Sequence, residues 1–361
     1  KRFHDLLEAG VEPGFQFLRE NCRNFNQWVP MNLIFSLFNL FESIVNDSLE
    51  NGELKFDPTE TDADVIKVVS ALFVFSYVWS FGGHVEQQQR MPFDTIARDI
   101  YVPMTNLPSR GTLFDYCFKV KEREWTHWSE LMPKFSLTGK KTDDDKGEGD
   151  DDDVDDHEDD EENAGNKKIK FHSLLVPTID TTRFSYLLKT LLKNHHNIFV
   201  RGSSGVGKSV IIQRAMSELD EAKYHLISLI FSAHTTSRAT QEMVESKLEK
   251  KRGVAIQPPS NKEGILFIDD INMPERDYYG SQPPIELLRQ LVSMEGLYER
   301  PGLAWNDIKH VTLLGAGGPD GGGRVPVTPR FLRFLFNVEL TPPDDHTMFN
   351  IFHSILQPFF D

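Results

Sequence analysis

With 361 residues, 39% of them hydrophobic and 26% charged, the chain has the balance of a globular protein with room for two or three structural units. Its formal net charge of −16 is concentrated, because Asp143–Glu162 alone holds 15 acidic residues against one lysine. Outside that run the charge is close to zero, which leaves no basic field to recruit nucleic acid. The two cysteines, Cys22 and Cys117, give neither a disulfide framework nor a metal-ligand spacing and so point to a reducing compartment. No signal-peptide pattern follows Lys1-Arg2-Phe3, and with the close on Phe359-Phe360-Asp361 the chain is expected to be a segment of something longer.

Taken in order, residues 1–110 read as helical. Phe15, Leu18, Cys22 and Phe25 form one apolar stripe, and Leu33, Leu37, Leu40, Phe41 and Ile44 another, with Pro58, Pro92, Pro103 and Pro108 as breaks. The most apolar run, Val68–Phe81, carries Ser70, Ser76 and Ser80, follows Lys67, and falls short of the roughly 20 apolar residues a membrane span needs. It is predicted as a buried core helix stopped by Gly82-Gly83, so no membrane span is expected. Residues 111–166 read as a connector, with Trp125 and Trp128 in packing roles and an acidic, disordered insertion at about 140–166.

From about Lys167 to 340 strands alternate with helices. Strands are predicted at Asn197–Val200, His225–Ala233, Ile265–Ile268, His310–Gly315 and Phe336–Leu340. Helices are predicted at Thr181–Asn194, with Phe184, Leu187, Leu188, Leu191 and Leu192 on one face, and at Lys208–Leu219, Ala239–Lys250 and Pro284–Glu295. Strands apolar on both faces in such an alternation make an α/β fold, a parallel sheet covered by helices on both sides.

Gly202-Ser203-Ser204-Gly205-Val206-Gly207-Lys208-Ser209 matches G-x-x-x-x-G-K-S/T at every fixed position, between a predicted strand and a predicted helix. Glycines let successive N–H groups turn inward on phosphate oxygens, and the helix beginning near Lys208 adds its positive end. Lys208 is placed to reach the β and γ phosphates and the Ser209 hydroxyl to ligate Mg²⁺, so ATP or ADP with Mg²⁺ is the expected ligand. The apolar strand of Gly264-Ile265-Leu266-Phe267-Ile268 ends in Asp269-Asp270. Asp269 is the expected second Mg²⁺ group, and Asp270 takes the place of the water-activating base.

Asp269-Asp270-Ile271-Asn272-Met273-Pro274, Tyr279 through Gln290, Val176 through Thr181 and Gly322 through Arg333 together resemble the third AAA+ module of dynein heavy chains, in wording closer to the axonemal type than the cytoplasmic. The resemblance runs over about 170–361. Less sharply, Phe75–Gly83 looks like the helical lid of the preceding, second module. It implies that 1–110 is that α-helical lid, 167–340 the AAA+ large domain, and 341–361 the start of a truncated lid. Val176 and Pro177 would lie beside adenine, and Arg330 would act in trans on the second module's nucleotide, with Arg333 a weaker candidate. Implied partners are the neighbouring AAA+ modules of the same heavy chain and, through the parent protein, dynein intermediate and light chains and microtubules. Implied surroundings are the cytoplasm, the cytoskeleton and the axoneme of cilia or flagella.

Two departures from the family pattern bear on rate. Asp270 stands where such enzymes usually carry Glu, one methylene longer. Gly318 has no side chain where many relatives carry a polar residue that senses the γ-phosphate. Both imply a regulatory site that binds nucleotide and cleaves slowly. A fully active ATPase module of another mechanochemical machine, a nucleic-acid loader disfavoured by the charge, and a structural module holding nucleotide permanently remain open.

Overall fold

The computed structural model describes residues 2–22, 28–54, 62–133, 176–250 and 255–357. Pro58, Phe25 and the acidic run Asp143–Glu162 lie outside them. The chain forms two compact units, Lys1–Leu131 with Ile179–Pro343, and Met132–Thr178 with Asp344–Asp361.

The first unit opens with four helices, α1 (Arg2–Asn21), α2 (Pro30–Glu50), α3 (Asp62–Phe81) and α4 (Gln87–Tyr101). Helix α3 is their core: every residue from Ser70 to Val85 is buried. Its rings interlock with the neighbours, Phe73 edge-on to Tyr101 at 5.9 Å and Tyr77 stacked on Phe93 at 5.8 Å. By length and composition alone α3 could cross a membrane, but 72% of its apolar window is buried inside the protein. Two of its hydroxyls find partners within that core, that of Ser80 donating to the Ser76 carbonyl at 2.6 Å and that of Tyr77 to the Gly10 carbonyl at 2.9 Å.

Two expectations change here. Helix α4 runs through Pro92 rather than stopping at it, because Phe93, Ala97 and Tyr101 bury one face and outweigh the lost backbone hydrogen bond. Gly82 does follow the end of α3, but by close approach and not by a left-handed cap. A Cβ there would sit 2.6 Å from the Phe93 ring and 2.7 Å from that of Phe114.

The connector contains a hairpin that periodicity did not reveal, β1 (Tyr116–Lys119) paired antiparallel with β2 (Glu124–His127). Trp128 is buried beside it and donates its indole N–H to the Phe114 carbonyl at 3.0 Å. Trp125 packs edge-on to Phe118.

Helix α5 (Ile179–Lys193) buries the predicted face of Phe184, Leu187, Leu188, Leu191 and Leu192. Then follow β3 (Ile198–Gly202), α6 (Lys208–Ser217), β4 (Tyr224–Ile230), α7 (Ser237–Ser246), β5 (Glu249–Lys250) and β6 (Ile256–Gln257). After them come β7 (Glu263–Asp269), α8 (Pro283–Met294), β8 (Gly296–Tyr298), β9 (Trp305–Asp307), β10 (Val311–Gly317), α9 (Pro329–Leu332) and β11 (Phe336–Leu340). The helix expected to reach Lys250 ends at Ser246, since Glu249–Lys250 pairs with Ile256–Gln257.

The central sheet has the order β11-β3-β10-β7-β4, with every pairing parallel. Alternation sends Ile198, Val200, Ile265, Phe267, Leu314 and Ala316 into the core shared with α5, α6 and the N-terminal helices. Phe199, Leu266, Ile268 and Leu313 point to the opposite core, with α8 and α9. The two edge strands depart from two-faced burial: β11 leaves Asn337 and Glu339 half-buried, and β4 leaves Ile230 74% exposed. The N-terminal helices also grip β11 by its backbone. Arg90 of α4 donates to the Glu339 carbonyl at 2.9 Å, the Glu339 N–H to the Gly83 carbonyl at 2.8 Å, and Asn32 of α2 to the Leu335 carbonyl at 2.7 Å.

In the second unit the described secondary structure is helix α10 (Asp345–Leu356). Asp344 caps it, its carboxylate accepting the Thr347 N–H at 2.7 Å.

Candidate functional site: the carboxyl edge of the sheet

Because β10 lies between β3 and β7, three strand ends meet at one edge of the sheet. In open α/β sheets this carboxyl edge is where ligands bind. After β3 comes the loop 202–208. Gly205 and Gly207 both hold φ of +84°, which a side chain rarely tolerates, and a Cβ at either would meet nothing within 4 Å. It is therefore backbone conformation, not crowding, that requires glycine at these two positions. Gly207 precedes the first turn of α6, so the loop ends on a helix N-terminus. Lys208 folds back over the loop, its Nζ donating to the carbonyls of Gly202 and Ser203 at 2.8 Å each. Burial lowers its pKa below the ordinary lysine range, Asp269 opposes that, and the nearby Arg324 adds to it.

From β7 the chain supplies Asp269, whose Oδ2 accepts the Ser209 hydroxyl at 2.7 Å. The two halves of the expected site, 60 residues apart, are thus in direct contact. The other oxygen, Oδ1, accepts the Asp270 N–H at 2.9 Å. Asp270 itself takes φ of +51°, a left-handed turn that aspartate tolerates better than most residues. Its carboxylate meets Arg324, whose Nη2 lies 3.1 Å from Oδ1.

Arg324 is the site residue that sequence reasoning missed. It ends a glycine-rich loop after β10, in which Gly321, Gly322 and Gly323 all have positive φ and Gly321 bridges back to Arg324. Its signal in sequence was the run of three glycines just before it. Asn272 was also missed. It is buried and brackets the Gly318 peptide, donating from Nδ2 to the carbonyl at 2.9 Å and accepting the N–H at 3.3 Å.

On the flank of the loop, β11 places Glu339 opposite Arg201 of β3. Burial pushes the Glu339 carboxyl up to about 7, against the pull of Arg201 at 3.8 Å and of Arg90. Arg330 stands apart, on the four-residue α9. Its side chain is 71% exposed, and its ion pair with Glu286 of α8 is long, at 4.0 Å. Val176 and Pro177 fall in the second compact unit.

The donors present suit a magnesium–nucleotide ligand. A hydroxyl and a carboxylate side by side are hard oxygen ligands, and Mg²⁺ is commonly held by one or two carboxylates together with substrate phosphates. The open space at Gly205 and Gly207, in the loop over which Lys208 folds, suits the phosphates themselves.

A five-stranded parallel sheet with a phosphate loop on one strand and an acidic pair on another defines the AAA+ class of P-loop domains. Family comparison narrows this. Residues 164–343 match the family described as P-loop containing dynein motor region, and residues 3–130 the dynein heavy chain AAA lid domain. Human dynein axonemal heavy chain 6 is 35% identical over 98% of this chain, and mouse dynein axonemal heavy chain 3 is 30% identical over 97%, each match covering 8% of the relative. Human dynein axonemal heavy chain 12 is 31% identical over 96% of this chain and 11% of its own length. The chain belongs to the dynein heavy chain family, and it spans about a tenth of the length of these relatives.

Proposed function

We propose that this chain is a regulatory, ATP-binding module of an axonemal dynein heavy chain, comprising the lid of the second AAA+ module and the third module itself. The observation that carries the reading is the 2.7 Å contact between Ser209 and Asp269, which brings the phosphate loop and the acidic strand into one site. In this reading the loop N–H groups and Lys208 hold the phosphates of ATP or ADP, and Ser209 and Asp269 hold Mg²⁺. The metal would neutralise charge on the phosphate oxygens. Asp270 is the base that orients the attacking water, and its side chain, one methylene shorter than glutamate, slows it.

Arg330 serves the neighbouring, second module's nucleotide, a role supported by its exposure and its weak local pairing. Replacing it with alanine should slow hydrolysis at that neighbouring site and leave nucleotide affinity here unchanged; an altered affinity here would refute the assignment. Through the parent motor the module works in the cytoskeleton of cilia or flagella, with dynein intermediate and light chains and microtubules as partners.

The rate claim is tested by single-turnover hydrolysis in a heavy chain whose other sites are blocked. Positioned general bases contribute about 10²–10⁴-fold, so Asp270→Glu should raise turnover by part of that range. An unmodified site that already cleaves as fast as a glutamate-bearing module would contradict the regulatory reading.

A further inference from the structure

The glycine at position 318 removes a side chain from the terminal-phosphate side of the site, yet the space is filled. A Cβ at Gly318 would lie 2.5 Å from Arg324 Nε and 2.6 Å from its Cδ, so the arginine occupies the volume a larger residue would claim. Asn272 fixes the Gly318 peptide from both sides, which holds the floor on which that side chain rests. The guanidinium therefore sits over the end of β10, between the ends of the strands that carry the phosphate loop and the acidic pair.

Its hydrogen bonding is incomplete. One nitrogen, Nη2, reaches Asp270 at 3.1 Å, while Nε is buried without a partner among the described residues. A buried donor of a charged group left unpaired is costly, and the fork geometry of arginine favours an anion that can take two N–H groups together. Arg324 also lies close enough to Lys208 to affect it electrostatically, so both cations address one small region.

We infer that Arg324 is the residue that distinguishes a nucleoside triphosphate from a diphosphate at this site. The terminal phosphate offers paired oxygens to Nε, which lacks a partner, and to Nη2, for which it competes with the Asp270 carboxylate. Binding of the triphosphate then draws Arg324 off Asp270 and frees that carboxylate to meet water. A diphosphate leaves the Arg324–Asp270 pair in place. Gly318 is thus not simply a lost contact, since it is what lets an arginine from the following loop take up the position. This inference rests on the assignment of 202–209 as a nucleotide site.

The test uses the full heavy chain with its other phosphate loops disabled and measures Kd for ATP and for ADP separately, in Mg²⁺. Arg324→Met should weaken ATP by about 10-fold or more, the scale of a charge-assisted hydrogen bond, and change ADP less than about 2-fold. Arg324→Lys, which keeps the charge but loses the fork, should recover part of the ATP affinity. An unchanged ATP-to-ADP ratio in Arg324→Met, or equal weakening of both nucleotides, overturns the inference. Failure of the unmodified chain to bind either nucleotide would instead defeat the site assignment beneath it. Unfolding midpoints of both variants within a few degrees of the unmodified chain show that the comparison is between folded proteins.

Discussion

Two glycine-rich loops close the same edge of the sheet, and they are built for different ends. The loop after β3 uses left-handed glycines at 205 and 207 with open space around them, so its backbone is free to face a ligand. The loop after β10 uses left-handed glycines at 321, 322 and 323 to turn the chain back, and a crowded glycine at 318 to seat the side chain of Arg324. In the first, glycine exposes backbone; in the second, it makes room for a cation. The difference explains why the first loop declares its chemistry as a spaced motif and the seat for Arg324 does not. A backbone cradle depends on spacing along the chain, whereas a seat for a side chain depends on which residues meet in space.

Breaking the first loop should have the largest effect. Gly207→Val puts a β-branched residue at φ of +84°. A left-handed residue costs about 1–2 kcal/mol, more for a branched side chain, and the alternative is a loop that no longer turns inward. Binding of labelled ATP and ADP should both be lost while circular dichroism stays the same. Retention of either nucleotide would show that the cradle does not depend on these torsions.

A smaller effect is expected in the second loop. Gly318→Ala places a methyl against the Arg324 side chain, which can swing away, so the stability cost should be about 1 kcal/mol by denaturant titration. ATP affinity should fall and ADP affinity hold. Equal loss of both would remove the distinction between the loops.

The smallest effect concerns the flank. Folded Glu339 has its carboxyl raised to about 7, so the fold favours its neutral form. That contribution to stability is complete below the ordinary carboxylate pKa of 4.5 and is lost as pH rises through about 7. Melting temperature should therefore decline across that window, and Glu339→Gln should flatten the decline. An identical pH profile in the variant would mean that the Arg201 and Arg90 charges already compensate the buried carboxylate.

Much of the nucleotide-binding half could be read from sequence because its strands are short apolar runs with residues buried on both faces. Phe199 and Val200, adjacent in the chain, enter opposite cores. That the 202–209 loop and Asp269 meet at one sheet edge was legible because the motif fixes residue types at the ends of two strands. The hairpin at 116–127 was not, because its two four-residue strands carry no sustained alternation, and Trp125 and Trp128 signalled packing without a strand. Pro92 misled because a local rule against proline was overridden by the buried face of α4. Arg324 and Asn272 escaped for a further reason: their partners, Asp270 and Gly318, lie 54 and 46 residues away, and nothing in local pattern announces such a meeting.

A regulatory role at this edge requires first that the phosphate loop hold nucleotide. The decisive measurement is equilibrium binding of labelled ATP, with Mg²⁺ and with chelator, to the heavy chain with its other phosphate loops disabled, comparing the unmodified site with Lys208→Ala. Nζ of Lys208 caps the loop at 2.8 Å from two of its carbonyls, and its charge is the one expected to meet the phosphates. We expect Mg²⁺-dependent binding in the unmodified site and none above background in Lys208→Ala, with the fold unchanged. ATP bound with the same affinity by both, at this segment, would contradict the assignment.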